Sequence, residues 1–108
     1  MKILNIHKAI DVQELKDLLD EKLNPLFHQQ KQSGINFLNE IKDGAVEISY
    51  PELYEGFLFR IEIESPELHI TRSEHYVDDV NSLTVESILN TLFEDLSGDK
   101  GITFVLEG

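Results

Sequence analysis

Residues 35–50, INFLNEIKDGAVEISY, decide the fold, because they admit two readings. Ile35, Leu38 and Ile41 recur at the spacing of a helical turn. Asp43-Gly44, set between apolar segments, is instead a strong signal for a two-residue hairpin. The hairpin reading is preferred. It gives strands over 35–41 and 45–50, with Val46, Ile48 and Tyr50 alternating against Ala45, Glu47 and Ser49.

Once the hairpin is accepted, the chain downstream continues as a meander. PELYEG (51–56) turns it into FLFRIEIES (57–65), where Phe57, Phe59, Ile61 and Ile63 fall on one face and Leu58, Arg60, Glu62 and Glu64 on the other. Ser65-Pro66 ends that strand, since proline cannot donate to a ladder. ELHIT (67–71) follows, with Leu68 and Ile70 inward and Glu67, His69 and Thr71 outward. SEHYVDDVNS (73–82) reads as a polar loop. Beyond it, Val85, Ile88, Leu89, Leu92, Phe93 and Leu96 form an apolar helical stripe, with Thr84 as its expected cap and Gly98 as its stop. GITFVLEG (101–108) closes the chain as a strand.

Upstream of the hairpin, DVQELKDLLDEKLNPLFHQQ (11–30) has Val12, Leu15, Leu19, Leu23 and Leu26 at helical spacing. Asp11 and Glu14 match a capping box. Pro25 must kink the helix or restart it with Asn24 as the new cap, and Gly34 is the expected stop. The whole predicts a single α+β domain over residues 1–108. Its antiparallel β-meander has four to five strands, with two main helices packed on one face. The other face is left to solvent or to a partner.

The 108 residues carry a net charge of −12, and all of it falls in the second part of the chain. Residues 1–42 hold six acids and six lysines; residues 43–108 hold fifteen acids against Arg60, Arg72 and Lys100. Such a field repels phosphate backbones and anionic membranes and steers cationic proteins. Direct nucleic-acid binding and membrane association are therefore not expected. With no cysteine there is no disulfide framework and no thiolate chemistry. The opening MKILNIHKAI lacks the apolar core of a secretory signal, so a cytoplasmic protein is expected.

Nothing in the chain argues for an enzyme. It has no phosphate loop, dinucleotide fingerprint or nucleophile elbow. Ser73, His75 and Asp78 lie close in sequence, but a triad is a matter of geometry, and a polar loop explains them. Glu74, His75, Asp78 and Asp79 offer oxygen and imidazole donors without the ligand spacing or central glycine of a calcium loop. No catalytic residue, metal or cofactor is expected.

What remains is the outward face of the meander, carrying Glu47, Ser49, Arg60, Glu62, Glu64, Glu67, His69 and Thr71. Like charges opposed across strands cost roughly 0.2–1 kcal/mol, which a basic partner offsets and which water and salt offset less completely. Two readings stand: a solvated face that also discourages edge pairing, or a docking surface. Tyr50, Tyr54, Leu58 and Tyr76 supply amphipathic groups near this face or its rim.

The stretch GFLFRIEIESPELHITR (56–72), followed after a polar loop by LTVESILNTLFEDL (83–96), resembles small bacterial toxin-immunity proteins of contact-dependent and related polymorphic toxin systems. The resemblance spans about residues 44–97 and rests on texture rather than on a motif. It implies a cytoplasmic protein that binds a cognate toxin domain, often a basic nuclease, and blocks its active site or its access to substrate. On that reading the partner-binding residues are Glu47, Glu62, Glu64, Glu67, His69, Glu74, Asp78 and Asp79. The alternative is a regulatory or adaptor domain, or a nucleic-acid mimic, binding another basic protein.

Overall fold

The computed structural model describes residues 2–6, 9–31, 34–64, 66–96 and 103–107, with 95, 96 and 103–107 described by backbone alone. Their order is β1 (Lys2–Asn5), α1 (Val12–Gln30), β2 (Leu38–Lys42), β3 (Ala45–Ser49), β4 (Phe57–Glu64), β5 (Glu67–Arg72), α2 (Val80–Leu96) and β6 (Thr103–Glu107). The strands form one antiparallel sheet in the order β2-β3-β4-β5-β1-β6. The α+β class and the meander β2–β5 agree with the sequence reading. A strand at the N-terminus was not anticipated: β1 fills the place between β5 and β6.

The hairpin at Asp43-Gly44 forms because both residues take positive φ, 51° and 76°, the geometry of a type I′ turn. It pairs Lys42 with Ala45, so β2 covers 38–42 rather than 35–41. The residues before β2 are held differently. Asn24, on α1, accepts the Phe37 N–H through Oδ1 at 2.7 Å and donates through Nδ2 to the Phe37 carbonyl at 3.0 Å. One side-chain amide thus does for Phe37 what a neighbouring strand would do.

That contact corrects the expectation for α1. The helix runs unbroken through Pro25, and Asn24 is no cap. Proline removes a donor from the Glu21 carbonyl, which lies on the exposed side of the helix where water can replace it. Asp11 and Glu14 do form the reciprocal capping box. The helix stops at Gln30, where Lys31 turns extended, and not at Gly34.

Leu58 also departs from its expected place. Ile48 pairs with Phe59 while Ser49 pairs with Phe57, so β4 carries one extra residue. This bulge swings Leu58 out of the outward face and buries it completely in the core. The helix-facing side of the sheet otherwise follows the alternation, with Val46, Ile48, Phe59, Ile61, Leu68 and Leu4 packed beneath Leu15, Leu19, Leu23 and Phe27 of α1 and Val85, Ile88, Leu89, Leu92 and Phe93 of α2. Leu96 and the proposed stop at Gly98 lie outside the described side chains. Finally, α2 begins at Val80, one turn before Thr84, because Asp79 caps it by accepting the Ser82 N–H at 3.0 Å. Among the described residues no helix is long and apolar enough to cross a membrane.

Candidate functional site: the outer sheet face and its rim

Both helices lie on one side, so the opposite face of the sheet is covered by no helix among the described residues. The register sets its side chains in rows. One runs Glu40, Glu47, Arg60, Thr71; the next runs Lys42, Ala45, Glu62, His69, Ile3; a third pairs Glu64 with Glu67 and Asn5. Five of the expected site residues, Glu47, Glu62, Glu64, Glu67 and His69, therefore do share this surface.

Their electrostatics are less uniform than the composition suggests. Arg60 stands at the centre and holds Glu47 at 2.8 Å, with Glu62 at 4.0 Å from its Nε. Lys42 lies 3.9 Å from Glu47 and 4.0 Å from Glu40. The β2–β3 side is thus largely neutralised. Unbalanced charge collects at the β4–β5 hairpin, in Glu62, Glu64 and Glu67. Glu64 is exposed, directly opposite Glu67, and has no ion pair among the described residues. His69 contacts Glu67 at 2.9 Å and stands across from Glu62.

The other expected residues sit elsewhere. Glu74 and Asp78 follow the far end of β5, whose six residues separate them from Glu67 by about 20 Å. Asp79 is committed to structure. Besides capping α2, its carboxylate accepts the Tyr54 hydroxyl at 2.9 Å, and Asn81 donates to that same hydroxyl. Burial is the main cause that raises the Tyr54 phenol above its ordinary value, and the Asp79 charge adds to it. Tyr54 and Leu58 are core residues rather than surface anchors.

The sequence reading missed a groove of about 1070 Å³ at this rim, beside the turn Glu74–Tyr76. Phe57 and Thr71 join it to the outer sheet face, and Glu55 and Glu74 stand exposed beside it. The groove is built from tertiary contacts. Ser73 N–H donates to the Leu58 carbonyl at 2.9 Å, and the Glu55 N–H donates to the Tyr76 hydroxyl at 2.8 Å. The bulge at Leu58 turns Phe57 toward it, which residue spacing could not have revealed. Comparison of the chain with protein-family models, curated proteins and solved structures finds no match.

Proposed function

We propose that the chain is a cytoplasmic, non-enzymatic binding protein of the immunity type, which neutralises a basic toxin domain by docking the outer sheet face against it. The observation that carries this reading is the like-signed group Glu62, Glu64 and Glu67, gathered at one end of an open sheet with Glu64 facing Glu67. Complementary charge at such a surface raises the association rate and excludes like-charged competitors. The resemblance of residues 56–72 and 83–96 to immunity proteins supplies the class of partner.

The test begins with the adjacent gene, expected to encode a large secreted protein with a basic C-terminal domain. Cells expressing that domain should grow only when this chain is co-expressed. Glu62→Lys with Glu64→Lys should weaken the complex at least about tenfold at low salt and flatten its salt dependence. Normal protection and affinity in the doubly reversed protein refute the docking face.

A further inference from the structure

Strand β2 is an edge of the sheet, and α1 covers only part of it. The two-residue turn Asp43-Gly44 is closed by the pair Lys42–Ala45, so Lys42, Glu40 and Leu38 direct their backbone N–H and C=O groups at β3. The corresponding groups of Ile41, Asn39 and Phe37 point away from the sheet. Asn24 answers those of Phe37. Nothing among the described residues answers those of Asn39 and Ile41. Such an open edge is a template for another strand.

The side chains of β2 select which strand. Glu40 and Lys42 lie two residues apart on the outer face, are half-exposed and differ in sign. Ile41, between them on the helix-facing side, is 39% exposed although its cross-strand neighbour Val46 is buried. A second β2, antiparallel and related by a two-fold axis through Ile41, sets Ile41 against Ile41 of the partner subunit. The same axis sets Glu40 against Lys42 of the partner subunit, twice over. An axis one residue away, through Glu40, would oppose two carboxylates instead. Charges of one sign would bar a second copy from the edge, whereas the opposite signs of Glu40 and Lys42 admit it in this register. The charge of the whole chain points the same way. β2 and α1 belong to residues 1–42, whose charges sum to zero, and the −12 falls beyond them. Two copies meeting at this edge keep Glu62, Glu64 and Glu67 at least two strands from it in each.

We propose that the chain self-associates through β2, forming a two-fold dimer whose sheet is continuous across both copies. The Ile41 N–H of each copy donates to the carbonyl of Ile41 of the partner subunit, and two Glu40–Lys42 pairs flank that contact on the outer face. The axis stands perpendicular to the sheet, so both helix layers lie on one side and both outer faces stay open on the other. The inference goes beyond the docking reading above and does not depend on it.

Sedimentation velocity of the full chain, from about 10 μM to about 1 mM, should show a monomer–dimer equilibrium. Ile41→Pro removes the donor at the axis. An edge strand tolerates proline where its N–H faces solvent, so the fold should persist while the dissociation constant rises at least about tenfold. Glu40→Lys should raise it about tenfold, by opposing lysine to lysine in both pairs. Glu40→Lys with Lys42→Glu exchanges the signs and should return it to within about threefold of the parent. Unchanged melting temperatures at the dilute end establish that these variants are folded. A chain that is monomeric throughout the range overturns the proposal, as does a dimer indifferent to Ile41→Pro and Glu40→Lys. A folded double exchange that fails to restore association overturns it too.

Discussion

Asn24→Asp separates two accounts of the same residue by the sign of its effect. If Asn24 capped a helix restarting at Pro25, aspartate would serve as well and would add a favourable charge at a helix N-terminus, worth about 0.3–1 kcal/mol. In the structure, however, the amide both accepts from and donates to the Phe37 backbone, and Phe37 is 3% exposed. An ionised carboxylate keeps the first bond and forfeits the second. It also sets a negative charge against the Phe37 carbonyl. Leaving that carbonyl unsatisfied costs about 1–3 kcal/mol. Asn24→Leu, which deserts both groups, should cost more, about 2–5 kcal/mol.

Urea unfolding at neutral pH is the assay. With an m-value of about 1.5 kcal/mol/M, a loss of 2 kcal/mol lowers the midpoint by about 1.3 M. At low pH the protonated carboxyl regains a donor, so the gap between Asn24→Asp and the parent should narrow. A midpoint that stays put or rises at neutral pH refutes the bracket around Phe37 and restores the capping account.

Leu58→Ala should cost about 2–5 kcal/mol by calorimetry, because the bulge buries this side chain fully; a loss below about 0.5 kcal/mol would return it to the surface. Burial pulls the Asp20 carboxyl up, but hydrogen bonds from Lys16 and Asn39, with the Lys16 charge, outweigh it and hold the group below its ordinary 3.8. Its contribution to stability is therefore present above pH 3.8 and fades as the pH falls below that value. Asp20→Asn should flatten the acid limb of stability measured from pH 6 to 3. Glu64→Lys should stabilise the fold by about 0.2–1 kcal/mol in thermal melts, by replacing a like-charged cross-strand pair with an opposite one. If the proposed docking face is right, the same change should weaken binding to the cationic partner, whereas a face that is merely solvated would gain stability at no cost in binding.

Local signals made much of the architecture legible. The capping box at Asp11, the Asp43-Gly44 turn and the stripe from Val85 to Phe93 are short-range patterns, and each formed as read. The misses share the opposite character. β1 has only Ile3 and Leu4 as apolar residues, and its partners lie near the other end of the chain. Asn24 serves Phe37 thirteen residues away, an arrangement that no helical periodicity encodes. Asp79 outcompetes Thr84 as cap because Tyr54, itself buried, fixes its carboxylate in place. The extra residue in β4 moves Leu58 inward while the sequence alternates without interruption.

The candidate site divides in the same way. Alternation placed Glu47, Glu62, Glu64, Glu67 and His69 on one surface, since within each strand they alternate with the apolar residues that pack toward the helices. The distribution of charge over that surface depended on the register itself. Arg60 falls opposite Glu47, and its guanidinium also reaches toward Glu62. Ala45 separates Lys42 from Glu62 along their row, and Lys42 reaches Glu47 and Glu40 instead. Neutralisation therefore stops short of the β4–β5 hairpin, where Glu64 and Glu67 are opposed. A face that needs only to stay wet is served by side chains of either sign, and a lysine opposite Glu64 would have stabilised the hairpin. Keeping two carboxylates there is unfavourable for the isolated fold and favourable once a cationic surface lies over both.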